Sequence, residues 1–520
     1  MLTIPKNLDV QALLEQFHPY EIDQVATFNV DHLIYILDFL TAAPLRNKKN
    51  AEQIIDGFVP MTAHSLQRVV SHYNAYLAYL KRAGVIEVYK NGTFQPGTAE
   101  LPGKSRKYRF TEAYRQQPIR FVEVTTKAFK RRMSALRSRE WRSLRGRDYK
   151  HLLKYLEADG RLQIDADAAR QWNQERLNLL QLRPELRKVK KRINSAYQRA
   201  DAYVDPIEQY NHAEYSIGRL EHQIWDVVID DKVHRLHSPL TNMHSGLRHF
   251  LKYDGEELVS LDIANSQPYL ATLLLRPGFY SKPDQVLPRL FFEVEGVQIK
   301  QERETHQLTH PYLILQNTGF DPDAQDIKTF NNLTSKGLLY QYLQDKFRAQ
   351  LGVANCGRRQ VKETVFEVLF AKNRYTSDRK KLFETLFPSV SQIFIMLKEK
   401  DNTMLPRLLQ MLESHIVLRR ICGLIAKKHP NAPLLTIHDS IVTTLPYAER
   451  VETIMKKELE RLVGLAPTVK REYWQAATAW AILEEMRKAA HCPVTELSKP
   501  KLRTALKKPV AWTSCASEVV

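Results

Sequence analysis

Two stretches, Leu258–Leu270 (LVSLDIANSQPYL) and Leu434–Thr444 (LLTIHDSIVTT), decide the reading of this chain. Each drives an apolar, β-rich run into one aspartate, Asp262 and Asp439, and polar, turn-forming residues follow. A strand that ends in a carboxylate sets it on the rim of a sheet. Two such strands can bring two carboxylates together across a long stretch of intervening sequence. A converging pair is what two magnesium ions need to carry out phosphoryl transfer. Taken singly, each aspartate reads equally well as a turn residue at a strand end.

Working outward, 520 residues are too many for one compact core, so two to four domains are expected. A formal net charge of +19 argues for a polyanionic partner, with nucleic acid first. The four cysteines, Cys356, Cys422, Cys492 and Cys515, form no C-x-x-C pair and no zinc-finger spacing with histidine. Structural zinc and a disulfide framework are therefore not expected. That usage fits a reducing compartment, hence a cytoplasmic, nucleoid-associated protein. The N-terminal stretch lacks the pattern of a secretory signal. No apolar run reaches about 18 residues, so no membrane contact is expected.

Residues 1–115 read as a winged-helix-like nucleic-acid-binding domain. Val30–Leu40 and His64–Arg82 have helical spacing, Gly84 is a stop, and VIEVY and KYRF flank an Asn91-Gly92 turn. Lys90, Lys104, Arg106 and Lys107 would lie on or near the wing; a packing or protein-contact role is the plainer alternative. Residues 116–230 read as a basic helical, thumb-like region. Lys127–Lys150 holds ten Lys or Arg residues, and a second basic cluster spans Arg183–Arg199. Such runs are either a solvated helix face or a track for a phosphate backbone. Residues 231–485 carry the chemistry, including a helix at Ala448–Val463 and a strand at TVKREYW. Residues 486–520 read as a mobile basic tail. Asp165 and Asp167 look like a helix-start turn, and no carboxylate set for a proofreading exonuclease is recognised upstream.

Four segments fall in order: Arg235-Leu-His-Ser238 with Asn242 and Arg248, then LVSLDIANSQP, then Arg358–Phe370 (RRQVKETVFEVLF), then Gln410-Met-Leu-Glu-Ser-His with Ile437-His438-Asp439-Ser440. Together they resemble the palm and fingers of family A DNA polymerases and of the related phage-type single-subunit RNA polymerases. The resemblance covers roughly residues 230–480. Each motif alone is weak; four in order with similar spacing are specific. It implies a right-hand polymerase palm with small helical fingers; joined to the helical basic thumb-like region and the N-terminal winged-helix-like domain read above, the expected fold is α+β.

On that resemblance Asp262 and Asp439 bridge two Mg2+ ions (Mn2+ a substitute), and the backbone carbonyl of Ile263 completes one shell. Arg358, Lys362, Phe366 and Phe370 fall at i, i+4, i+8 and i+12, one stripe of a helix. Two cations and two aromatic rings on one face suit the triphosphate, base and sugar of a nucleotide. The alternative is an amphipathic helix packing Val365, Phe366, Leu369 and Phe370 inward, which leaves the two cations unaccounted for. By resemblance Lys362 also protonates departing pyrophosphate. Arg235, Gln410 and His438 match residues at the primer terminus and template.

The chain departs from the family at three positions. Gln267 stands where the DNA polymerases carry the glutamate that blocks a ribose 2′-hydroxyl. Phe370 replaces a tyrosine, and Ser440 replaces the glutamate after His-Asp. A bulky Gln267 over the Phe370 ring is expected to exclude ribose sterically. The expected activity is a template-directed DNA polymerase without proofreading, serving replication or repair of a mobile element, plasmid or phage. Its partners would be primer-template DNA, deoxynucleoside triphosphates and, as an open option, a small accessory replication protein. Two alternatives remain: a single-subunit RNA polymerase or primase-like polymerase, favoured by Ser440, and a DNA-binding replication initiator with an inactive palm.

Overall fold

The computed structural model describes residues 1–46, 57–89, 105–145, 149–187, 204–276, 279, 320–352 and 356–491. The N-terminal part begins with strand β1 (Leu2–Pro5), and after two short helical segments (Val10–Gln16 and Tyr20–Asp23) comes helix α1 (Val30–Arg46). Next come β2 (Val59–Pro60), α2 (Ala63–Gln67), α3 (Tyr73–Arg82), β3 (Ile86–Val88) and β4 (Lys107–Phe110). β2, β4 and β3 form a three-stranded sheet in that order, with Ile86 opposite Phe110 and Val59 opposite Tyr108. Periodicity alone predicts one helix over His64–Arg82. The structure divides it into α2 and α3 around the buried, β-branched pair Val69-Val70, residues whose stiff side chains slightly lower helix propensity. α3 stops at Gly84, which has φ +68°, a conformation that costs a glycine nothing. The Asn91-Gly92 turn, Lys90 and Lys104 lie outside the described residues.

Strand β5 (Ile119–Val122) returns to pair with β1, Leu2 opposite Val122. One apolar cluster runs from Leu2 and Ile4 through Leu33, Leu37 and Tyr76 to Phe129. Phe129 belongs to the basic helix α4 (Lys127–Arg145) and is buried, while Lys127, Lys130, Arg131 and Arg132 are exposed. Of the second basic cluster, positions 188–199 lie outside the described residues.

The larger core extends from Tyr149 to Ala490. It contains β6 (Leu162–Ile164), α5 (Ala166–Leu182) and α6 (Pro206–Glu221). Asp165 caps α5, accepting from the Ala168 amide at 3.1 Å, so the helix-start reading of this aspartate holds. α6 also meets the N-terminal part. Asn211 donates to the Gln117 carbonyl (2.8 Å) and accepts from the Ile119 amide (3.1 Å), and Gly218 lies so close to the Phe121 ring that any Cβ there would overlap it.

After β7 (Val228–Ile229) and β8 (Leu236–His237), strands β9 (Leu251–Tyr253) and β10 (Glu256–Ile263) form a hairpin. β10 is the centre of a six-stranded antiparallel sheet, flanked on one side by β12 (Ser440–Thr444) and on the other by β13 (Val469–Trp474). β11 (Leu435–Ile437) pairs with β12, and β6 with β9. Leu258, Val259, Ser260 and Leu261 are all buried, and the larger core joins the sheet to surrounding helices. These include α7 (Ser266–Ala271), α8 (Leu339–Leu351), α9 (Arg358–Phe370), α10 (Asp378–Leu386), α11 (Pro388–Leu397), α12 (Met404–Glu413), α13 (Ala448–Val463) and α14 (Ala476–His491). The result is a mixed α+β fold around an antiparallel sheet. The expected helix at Ala448–Val463 and the strand within TVKREYW are both present. Residues beyond His491 lie outside the described part. Among the described residues no helix is long and apolar enough to cross a membrane.

Candidate active site

The two aspartates come together through one strand pairing. In β10 and β12, Asp262 lies opposite Ser440, so Asp439, the residue before Ser440, falls at the same end of the sheet. The Ser440 hydroxyl donates to the Asp262 carboxylate at 2.8 Å. Asp439 does not end a strand followed by loop. With His438 it makes the two-residue turn of the β11–β12 hairpin, Ile437 opposite Ser440. His438 has φ +56°, where β-hairpin turns usually place Gly, Asn or Asp. Six non-glycine residues among those described have positive φ. Three flank predicted site residues: His234 before Arg235, Asn265 between Asp262 and Gln267, and His438 before Asp439. Each such residue stores on the order of 1 kcal/mol of strain, and strain of this kind concentrates where geometry is over-determined.

Burial raises both aspartates above the ordinary carboxylate range. For Asp262 the charge of Asp439 adds to the effect, while the Ser440 hydroxyl, Lys470 and Lys362 oppose it. For Asp439 the charge of Glu413 adds, while the side chain of Ser266 and the charge of Arg235 oppose it. Like charges crowded in a dry site call for a cation, and carboxylate oxygens suit a hard divalent one. Among the described residues no three or more His, Cys, Asp or Glu converge as a cage. A carboxylate pair could hold Mg2+, which takes one or two carboxylates and leaves other positions to water and phosphate. Ile263, the last residue of β10, pairs with Val469 and has a buried side chain.

Helix α9 buries Val361, Thr364, Val365, Val368 and Leu369, at i, i+3, i+4, i+7 and i+8. Arg358, Lys362 and Phe366 lie on the other face and are exposed, Phe366 by 41%; Phe370 is half-buried. The inward-packing alternative therefore holds for Val365 and Leu369 and fails for Phe366. The Phe366 and Phe370 rings stack with centroids 5.4 Å apart, and the Lys362 ammonium stands 5.6 Å from the Phe366 ring centre. The charge of Lys362 acts on Asp262, which sets this end of the stripe within electrostatic reach of that carboxylate. Tyr340 on α8 belongs to the same neighbourhood and carried no sequence signal. Burial and then the charge of Asp439 push its phenol up to about 12, with Arg358 opposing.

The remaining predicted residues separate into two groups. His438 is half-buried and meets His237 edge to face at 6.4 Å. Gln410 is half-buried on α12. Arg235 and Gln267 both end on a residue the sequence reading passed over, Glu413. Arg235 donates to one Glu413 oxygen at 2.9 and 2.6 Å, and the Gln267 amide nitrogen donates to the other. Glu413 is 2% exposed and interrupts the apolar stripe Leu405, Leu408, Leu409 and Leu412. A charge on a buried stripe was the available signal, because Glu is almost never fully buried without a partner. From Ser414 the helix widens into a π-helical segment through Ile421, a form common beside functional sites.

No protein-family model matches the chain, and no curated protein matches it. Among solved structures it is similar to the POL domain of Pol1 from M. smegmatis, in complex with DNA primer-template and dNTP. The identity is 14%, over 62% of this chain and 68% of that one, with a TM-score of 0.30.

Proposed function

We propose that this chain is a template-directed nucleotidyltransferase, a DNA polymerase that extends a primer with deoxynucleoside triphosphates. The observation that carries the reading is the convergence of Asp262 and Asp439 at one end of β10 and β12, with the charge of Lys362 of α9 acting on Asp262. Asp262, Asp439 and the Ile263 carbonyl would hold Mg2+, or Mn2+ in its place, which when bound stabilises the attacking and leaving oxygens of an in-line displacement. Arg358 and Lys362 bind the triphosphate as paired cations, and the Lys362 ammonium is positioned to give a proton to departing pyrophosphate. Phe366 offers an exposed ring to a base, with Phe370 stacked behind it. In this reading Gln267 meets the nucleotide sugar, and Arg235, Gln410 and His438 serve primer and template.

The helix–strand–helix–helix–strand–strand order from α1 to β4 supports a winged-helix role for the N-terminal part, which with α4 would hold template or a specific origin. Replication of a mobile element, plasmid or phage, nucleoid association and an accessory replication protein belong to the same reading. The second reading, a single-subunit RNA polymerase or primase-like enzyme, draws on Ser440, which gives Asp262 a neutral hydroxyl partner where a third carboxylate is usual among the DNA polymerases.

The test is primer extension with dNTPs or rNTPs by wild type, Asp262→Ala and Asp439→Ala. Magnesium-dependent extension with dNTPs, lost in both variants, is expected. Unchanged synthesis in both variants overturns the site. Unprimed synthesis from rNTPs favours the second reading, and nucleic-acid binding with no extension favours an initiator with an inactive palm.

A further inference from the structure

We infer that Glu413 is a positioning residue for nucleotide selection, which through Gln267 sets the sugar that the site accepts. The inference rests on the nucleotidyltransferase reading above and goes beyond it, because it moves the sugar check from one side chain to a buried three-residue unit. An apolar residue at position 413 would complete the stripe of Leu405, Leu408, Leu409 and Leu412 without electrostatic cost. The chain instead buries a carboxylate there, close enough to Asp439 and Asp262 for their charges to oppose one another. Burying a charge is unfavourable unless donors surround it. Arg235 and Gln267 are those donors, one from the loop before β8 and the other from α7.

The chemistry of the contact fixes the Gln267 amide. A carboxylate can only accept, so the amide must turn its NH2 toward Glu413 and its carbonyl oxygen away. That oxygen is shielded from solvent and has no hydrogen-bond partner among the described residues. Gln267 is therefore held in one of its two amide orientations by Glu413. An amide at position 413 has a single oxygen, which the Arg235 guanidinium requires, so its NH2 would face Gln267 and Gln267 would have to turn its carbonyl oxygen inward, reversing its orientation. Arg235, on the other carboxylate oxygen, links the same unit to the side that would face the primer. The half-buried Gln267, five residues after Asp262, then presents a fixed profile to a nucleotide held by Arg358 and Lys362.

The experiment measures kcat and KM for a dNTP and the matching rNTP in single-nucleotide primer extension by wild type, Glu413→Gln, Glu413→Asp, Gln267→Ala and the double variant Gln267→Ala/Glu413→Gln. Thermal unfolding is followed in parallel. Glu413→Gln is expected to change the rNTP-to-dNTP ratio of kcat/KM by about tenfold, mainly through KM. Glu413→Asp, which keeps the charge, should restore much of the wild-type ratio. In the Gln267→Ala background Glu413→Gln should leave the ratio where Gln267→Ala put it. A fall in kcat that is equal for both sugars, with the ratio unchanged, marks Glu413 as merely structural and overturns the inference. If Glu413→Gln does not fold, the ratio in Glu413→Asp against Gln267→Ala decides by the same criterion. Wild type that extends no primer overturns the nucleotidyltransferase reading and this inference together. Active wild type with Asp262→Ala inactive and an unchanged Glu413→Gln ratio overturns the inference alone.

Discussion

Arg358 and Lys362 stand on the exposed face of α9, outside the apolar stripe that packs the helix, and this makes them the sharpest residues to test. Replacing either with Ala removes a cation without opening a cavity, so stability should stay within about 0.5 kcal/mol of wild type. If they grip a triphosphate, Arg358→Ala should raise the KM for dNTP by roughly tenfold or more. Lys362→Ala should also lower kcat, because proton transfer typically contributes about 10²–10⁴-fold. Steady-state primer extension reads both effects, and unchanged constants in both variants would remove the stripe from the mechanism. The residues of this site were unequally legible. Asp262 and Asp439 were visible because an apolar run halts at each. Glu413 was not, since helical periodicity says which residues share a face and not what lies across from it. Tyr340 was hidden for a simpler reason: an aromatic residue at a helix start reads as core.

At the scale of elements, the fate of α9 depends on what closes its C-terminal end. Lys398, 3% exposed after α11, donates from its amino group to the carbonyls of Val368 (2.6 Å) and Ala371 (3.1 Å). A cation there complements the helix dipole, yet burial, with the nearby charge of Lys380 adding to it, lowers its pKa from 10.5 to about 8. Between those values the unfolded chain holds more protons than the folded one, so stability should rise with pH from about 8 to 10.5. The cost of the buried charge is fully present below pH 8. Its relief should be on the order of 3 kcal/mol at most. A neutral amine still has two donors, so both carbonyls stay satisfied after deprotonation. Urea unfolding of wild type and Lys398→Met across this range checks the sign, as the difference between them should carry the rise. A difference that falls with pH would contradict it. α9 itself was legible from its 3.6-residue pattern, as were α13 and β13. The β11–β12 hairpin was only half legible: its turn is His438-Asp439, without the glycine or asparagine that usually marks one. The polar residues after Asp439 therefore read as loop, whereas they continue as β12.

For the whole molecule, the +19 net charge is the property most directly open to measurement. Surplus charge that is merely solvated and charge that tracks phosphates differ in their response to salt. Each phosphate neutralised releases condensed counterions, so the logarithm of the binding constant falls by about 0.9 per contact for each unit of log salt on duplex DNA. α4 is the place to test this, because its buried Phe129 anchors it to the N-terminal core while Lys127 and Arg131, one turn apart, stay exposed. Their neighbour Lys130 pairs with Glu123 at 2.9 Å, so it is the less suitable target. The double variant Lys127→Glu/Arg131→Glu should fold normally, since neither side chain is buried. If α4 follows a phosphate backbone, the variant should bind primer-template more weakly at low salt, and the slope of its salt dependence should be shallower by about 2. Binding of several duplex sequences should weaken alike, because phosphate contacts carry no base information. Fluorescence anisotropy over a salt series on labelled primer-template measures all three quantities. A slope equal to that of wild type would make α4 a solvated face, and the excess charge that binds nucleic acid would then have to lie on other elements.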